Sequence, residues 1–399
     1  MNSDVVIIGG GMGGMCAAIL LSDAGKKVTI LERQERIGKK LLLTGSGKCN
    51  IGNVSMDAAH YLSDDKDKIE KCLGSFGNKE AGEFLKYIGI RLCEKNGFLY
   101  PVTRQASSVM DALRFKLEEN AVNIICGSTV SNIEEKNGGY IISCEDGKSY
   151  EGKNCICACG GRAGVYAEDK INGYEFLKKA GHTVVKTAPA LVQLVPQDEL
   201  KAIAGIRCDA KLSLFIKGEK TAEDTGELQI SEKMFSGIPV FQLSRHVKFA
   251  KDAALGIDFL PFADEADVKE RYDRLCDREL EKFFAGWLNK KLAIFLIKRA
   301  GLRPSSKASE LGAYGMAQLV REFKNEEFQL DSTGGYRNAQ VSSGGIPLKE
   351  VSDDFESRLM PGFFIIGEML NVCGECGGYN LHFAMASAKA AAERILCTE

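Results

Sequence analysis

Apolar and polar positions change rhythm along this chain, and the first change comes at once. Residues 4–9 (Asp-Val-Val-Ile-Ile-Gly) form a short unbroken apolar run, which suits a parallel strand covered on both faces. Residues 12–24 are small and apolar and stop at Gly25, the pattern of a closely packed helix ended by glycine. A second apolar run at 28–32 closes a strand–helix–strand unit and finishes in Glu32. From 128 onward, short runs break at Asn137-Gly138-Gly139 and Asp146-Gly147, which predicts a hairpin ladder ending in residues 154–161. The middle reads differently. Residues 192–195, 210–216, 227–230 and 257–260 are strand-like pieces between polar turns, whereas 267–285 and 288–300 carry helical spacing. Phe283, Phe284 and Trp287 fall at that spacing and are assigned to a core. Residues 362–366 read as one more strand, and 383–395 as an Ala-rich helix.

The opening unit carries a nucleotide fingerprint. Gly9-x-Gly11-x-x-Gly14 joins the strand to the helix: Gly9 permits the tight turn, Gly11 lets backbone approach a pyrophosphate, and Gly14 lets helix pack on strand. The free N–H groups at the helix start, around Met12, Gly13 and Gly14, then face the phosphates with a partial positive charge. Glu32, at the end of the second strand, can accept both ribose hydroxyls. A lone fingerprint is a weak signal; flanked by both strands, the helix and the acid, it is a strong one. It does not separate NAD from FAD. After Glu32 and Arg33, a second glycine-rich loop carries Lys39, Lys40, Thr44, Gly45, Gly47, Lys48, Cys49 and Asn50, as if the ligand extended beyond its adenosine half. The three lysines can neutralise a pyrophosphate, although a solvated basic loop accounts for Lys39 and Lys40 nearly as well. No second fingerprint with its own strand and acid follows, so a dedicated NAD(P)H domain is not expected.

Residues 38–50 resemble the GKKLLxTGxGxCN loop of the BaiN/YhiN-like flavoproteins, also described as aminoacetone oxidase-like FAD-binding enzymes. The resemblance covers both ends of the chain, about half its length, and implies FAD as cofactor. It implies adenine contact by the backbone at Val130, and an ATG-like turn at Ala158-Cys159-Gly160 that closes the nucleotide half. It places the pair Gly344-Gly345 along the flavin and makes Gly367-Glu368 the last FAD motif, with the acid on the ribityl chain. Gly378, Tyr379, Asn380 and Leu381 then open the final helix toward the flavin N1/O2 edge, where negative charge develops on reduction. The chain departs from the family at His382, Phe383 and Met385, which bears on substrate contacts, and at Cys159 in place of Thr, which bears on packing. The expected fold is α/β: a Rossmann-like FAD-binding domain of the glutathione-reductase type, with an inserted β-rich domain and a small helical subdomain. The expected boundaries are 1–187 and 346–399 for the FAD-binding domain, 188–261 for the β-rich insert, 262–330 for the helical subdomain and 331–345 for the return of the insert. An insert closing over a nucleotide fold makes the usual substrate cleft.

Composition narrows the chemistry. A net charge of −2 over 399 residues gives no long-range field to draw a polyanion, so nucleic acid is a poor default partner. Fourteen cysteines without a signal-like start read as reduced thiols in a cytoplasm, and no apolar run approaches a membrane span. Cys155, Cys157 and Cys159 alternate along one strand and read as buried strand cysteines. Cys373-x-x-Cys376 lies by the expected flavin edge; loop geometry is the preferred account, with a redox role for Cys376 as the alternative. His382 and Tyr379 are the candidate proton donors, against the plain reading of His382 as an ordinary helix histidine. His60, His182 and His246 are scattered and show no metal-ligand spacing, so no metal is expected. The leading function is an FAD-dependent reductase of an unsaturated or carbonyl-bearing small molecule, with NAD(P)H as a transient reductant. The competing readings are an O2-dependent oxidase of an amine-type substrate and a flavin-binding RNA-associated or regulatory protein.

Overall fold

The computed structural model describes residues 2–164, 173–248 and 251–398. The chain divides into two compact units, Met1–Ala188 with Gln340–Glu399, and Pro189–Ala339. In the first unit β1 (Asn2–Ile8), α1 (Met12–Asp23) and β2 (Val28–Leu31) form the expected strand–helix–strand. β1 lies between β2 and β3 (Ser149–Cys157), parallel to both. The strand Asn123–Ile125 extends the sheet beyond β2, and β4 (Phe363–Ile365) joins the end of β3, both in parallel register. Val5, Val6, Ile7 and Ile8 are all buried, as both faces of a covered sheet require. The hairpin ladder consists of Val130–Lys136, Gly139–Cys144 and the first half of β3. Its first turn, Asn137-Gly138, has positive φ at both residues, the geometry that matches strand twist in a two-residue hairpin.

α1 is buried along nearly its whole circumference because the sheet covers one side and α2 (Tyr379–Cys397) the other. A Cβ on Gly13 would stand 3.1 Å from the Ala384 carbonyl oxygen, so small residues on both helices set how closely they meet. α2 begins at Tyr379 rather than at the expected 383, starting from a left-handed Gly378 with φ 92°.

The second unit is a closed barrel in the order Leu194–Pro196, Phe235–Ser236, Glu219–Ile230, Arg207–Ile216, Ala253–Asp258 and Glu326–Thr333. Leu194, Leu212, Leu214, Leu228, Phe235, Leu255 and Phe328 fill its core, and Phe283 and Phe284 are buried in the same cluster. Three features differ from the sequence reading. The helix expected over 267–285 is two, Glu265–Leu275 and Leu280–Phe283, because Glu279 bridges to Lys307 and the Leu280 N–H donates to the Ser306 carbonyl at 2.8 Å. Glu326–Thr333, split in the expectation between helical subdomain and return, is the strand that closes the barrel. The chain re-enters the first unit at 340 rather than 346, since Val341–Gly345 pairs with Val185–Ala190, the strand by which it left. Among the described residues no helix is long and apolar enough to cross a membrane.

Candidate functional site

The site is assembled at the carboxyl ends of β1, β2 and β3, where an open parallel sheet binds ligands. The glycines of the fingerprint divide into two kinds. A Cβ on Gly9 would come within 2.4 Å of the Ala158 carbonyl oxygen, and one on Gly14 within 2.0 Å of the Gly9 carbonyl oxygen, so both are required by packing. A Cβ on Gly11 would meet nothing within 4 Å, and the same is true of Gly160 in the turn after β3. Open space therefore lies beside Gly11 and Gly160. Gly11 caps α1 without a side-chain hydrogen bond, and the first turn holds no acid, so the N–H groups of Met12 and Gly13 face an end uncompensated by the protein.

Glu32 is 4% exposed and held rigidly. Its Oε2 accepts from the Gly10 N–H at 2.8 Å and its Oε1 from the Gln34 N–H at 2.9 Å, which leaves further lone pairs on each oxygen. Val130 is buried at the start of its strand, and the Ser128 N–H donates to the Glu32 carbonyl at 2.9 Å, so the segment leading into that strand is tied to Glu32. Arg33 is half-buried beside it. In the glycine-rich loop, Lys39 donates to Gln34 Oε1 at 2.9 Å and Thr44 Oγ1 to the Leu41 carbonyl at 2.6 Å, while Gly45, Gly47 and Lys48 are exposed. Cys49 is fully buried, which pushes its thiol up to about 11. Next to it, Asn50 Oδ1 is buried with no hydrogen-bond partner, an acceptor that a ligand N–H or hydroxyl would satisfy.

From the other end of the sequence comes Glu368. Its Oε2 accepts from Lys40 Nζ at 2.5 Å and its Oε1 from the Ser342 N–H at 2.8 Å. The ion pair joins residues 328 positions apart and welds the glycine-rich loop to the Gly367-Glu368 motif. Gly344 and Gly345 end the buried strand next to it. Ala158 and Cys159 leave β3 with the Ala158 N–H on the Ile8 carbonyl, and Cys159 Sγ lies 3.6 Å from Cys157 Sγ. The chemistry of these residues fits FAD: an uncapped helix end beside open space, an anchored acid at the end of the second strand, a cation–carboxylate pair and an orphaned buried acceptor.

The turn at 374–380 leads into α2. Asn380 clasps it, with Oδ1 accepting from the Gly374 N–H at 2.9 Å and Nδ2 donating to the Gly374 carbonyl at 3.0 Å. Gly378 is crowded by Gly52 backbone, whose N lies 2.3 Å from where a Cβ would be. Tyr379 is buried, and Leu381 half-buried, on the first turn. His382 is 1% exposed, and its Nε2 donates to the Phe76 carbonyl at 2.8 Å. Burial depresses its pKa, with the hydrogen bond acting partly against that, so the ring is neutral near pH 7. His382 is thus enclosed on the first turn of α2. Cys373 is buried and Cys376 half-buried. Cys155 and Cys157 are fully buried in β3, whereas Cys159, expected on the same buried strand, is half-buried because the strand ends at Cys157.

Sequence reasoning passed over one pair. His60 Nδ1 lies 2.8 Å from Glu375 Oε2, and the His60 ring stacks on Tyr379 with centroids 4.6 Å apart. No local pattern announces it, because the partners are 315 positions apart.

A family model, the HI0933-like protein Rossmann domain, matches residues 3–394. The chain belongs to this family. A relative from Clostridium scindens named 3-dehydro-bile acid delta(4,6)-reductase is 38% identical, with 97% of this chain and 98% of the relative covered. A ribosomal RNA dihydrouridine synthase of Haemophilus influenzae is 27% identical, with 98% of each chain covered. Among solved structures, 3-ketosteroid-delta4-(5alpha)-dehydrogenase from Rhodococcus jostii RHA1 shares the fold, with a TM-score of 0.54, 16% identity and 99% and 96% of the two chains covered. The chain is an FAD-dependent oxidoreductase.

Proposed function

We propose that this flavoprotein reduces a carbon–carbon double bond conjugated to a carbonyl in a small, largely apolar molecule, with NAD(P)H as electron donor. The observation that carries the reading is 38% identity over essentially the full length of a reductase whose named substrate is such a compound. Bound at this locus, FAD supplies hydride transfer in both directions. The chain's own part is to hold and polarise. Met12 and Gly13 N–H groups, with Gly11 and Gly160 leaving room, take the pyrophosphate; Glu32 takes the ribose, the Val130 backbone the adenine, and Lys40 with Glu368 the ribityl region. Asn50 Oδ1 accepts from the cofactor, and the head of α2, from Gly378 to Leu381, borders the flavin with Gly344 and Gly345. Tyr379 donates the proton that the reduced carbon needs; His382, neutral and enclosed, supports the helix beneath it.

A second reading has its own support, since the relatives at 27% and 26% identity are named for reducing uridine in ribosomal RNA. Dihydrouridine differs from uridine by two hydrogens across a double bond conjugated to a carbonyl, so the same site chemistry serves both. A net charge of −2 favours the small molecule, because tracking a phosphate backbone needs clustered cations. The test is anaerobic. The purified yellow protein is reduced with NADH or NADPH and then mixed with a 3-keto-4,6-diene steroid or with unmodified ribosomal RNA. Re-oxidation by the dienone supports the proposal. Re-oxidation by RNA alone transfers it to the second reading, and rapid re-oxidation by air with stoichiometric peroxide and neither substrate makes the protein an oxidase.

A further inference from the structure

We infer that His60 and Glu375 form a positioning pair that sets the Tyr379 ring at the head of α2, so that the active site extends onto the segment Ala58–His60. The inference rests on the reading above that this helix end borders the cofactor and that Tyr379 donates the proton.

The pair is built by backbone before it is made by side chains. The strands Tyr61–Ser63 and Val372–Gly374 run antiparallel with Gly374 opposite Tyr61, and the Glu375 N–H donates to the His60 carbonyl at 3.1 Å. His60 and Glu375 are therefore the next cross-strand pair, with side chains on one face. Glu375 Oε2 lies 2.8 Å from Nδ1, which fixes the ring plane and the tautomer, as an acid does for the histidine of a catalytic triad. On the far side Ser55 Oγ lies 3.3 Å and Asp57 Oδ2 3.6 Å from Nε2. A ring gripped at both nitrogens is then laid on the Tyr379 ring at 4.6 Å and 27°. Tyr61 completes the seat: its ring meets Tyr379 edge-on at 87°, and its hydroxyl donates to the Tyr379 carbonyl at 3.0 Å. The Asn380 clasp holds the intervening turn at both ends of Gly374.

An ordinary cross-strand contact makes a different prediction. His60 and Glu375 are 27% and 26% exposed, so as a plain surface pair they would add little to stability and nothing to turnover. As a positioning pair they act on the geometry of proton delivery. Hydride arriving at the β-carbon leaves an electron pair on the α-carbon, and the Tyr379 hydroxyl proton completes the new C–H bond while water restores the hydroxyl. Misplacing that hydroxyl slows the step without touching hydride supply from NAD(P)H.

The test uses full-length holoprotein variants H60A, E375A, E375Q and Y379F, and the double variant H60A/Y379F. Four readouts are taken: FAD content and visible spectrum, melting temperature, the rate of bleaching by NAD(P)H, and kcat and KM for a dienone. The expected result is full FAD content, unchanged bleaching and little change in melting. kcat falls roughly 10- to 100-fold in H60A and E375A, with KM little changed. E375Q, whose amide oxygen still accepts from Nδ1–H, recovers most of the rate, and H60A adds little once Tyr379 is already Phe. If Y379F is impaired but H60A and E375A turn over normally, or if H60A and Y379F multiply, the pair is a surface contact and the inference falls alone. If Y379F is itself silent, or the protein takes up no FAD, the underlying reading falls and takes the inference with it.

Discussion

At the scale of single residues, the fingerprint separates glycines that the packing requires from glycines with open space beside them. Gly14 has no room for a methyl group, with the Gly9 carbonyl oxygen 2.0 Å from its Cβ position, whereas Gly11 has open space. Gly14→Ala is expected to cost about 1–3 kcal/mol of stability through overpacking, visible in urea melts of the apoprotein. Gly11→Ala is expected to leave those melts unchanged and to weaken FAD binding, measured by fluorescence titration; equal effects on both quantities would remove the distinction. His382 supplies a pH prediction. Its folded pKa lies below the ordinary 6.5, so the unfolded chain takes up the proton first. The histidine's contribution is complete above about pH 6.5 and is lost as pH falls toward the folded value. Between pH 7.5 and 5.5 the wild type should therefore lose more stability than His382→Gln; identical losses would show that the buried ring does not titrate.

At the scale of elements, the joins between the two ends of the chain are polar and buried. Lys68, on the helix Lys66–Ser75, donates from Nζ to the carbonyls of Leu348 and Val351, each at 2.7 Å. Burial lowers its pKa, although Asp65, Asp353 and Asp64 act the other way. Lys68→Met keeps the stem but strands two buried carbonyls. It should cost about 1.5–3 kcal/mol in chemical denaturation, the range for hydrogen bonds to a charged group. A loss well under 1 kcal/mol would mean that water reaches those oxygens. His182 makes a similar join, with Nδ1 2.8 Å from Glu350 Oε2 and Nε2 2.8 Å from Ser357 Oγ.

At the scale of the whole molecule, every residue assigned to the cofactor lies in Met1–Ala188 or Gln340–Glu399, and none in Pro189–Ala339. The second unit has its own closed barrel and its own core. Its first and last strands pair, Leu194 opposite Thr333, so its two ends emerge side by side. Replacing 189–339 by a short Gly-Ser linker should leave a yellow protein that NAD(P)H still bleaches. Residues 189–339 alone should unfold cooperatively and bind no FAD. A colourless remnant after incubation with FAD would place part of the cofactor site in the second unit.

The sequence alone determined the β1–α1–β2 unit, its glycines and Glu32, because those contacts close within some thirty residues and each residue type has one physical reason to be there. It also marked the hairpin ladder, whose Asn-Gly turn is a local signal. What only the tertiary structure decided involves partners far apart. Lys40 meets Glu368 across 328 positions, and His60 meets Glu375 across 315. Alternation with period two is the same in an open sheet and in a closed barrel, so the closure by Glu326–Thr333 could not be seen in it. Whether a histidine is enclosed or accessible is likewise a property of what packs over it. His382 lies under Phe76 and His60 over Tyr379 for reasons that no stretch of either neighbourhood contains.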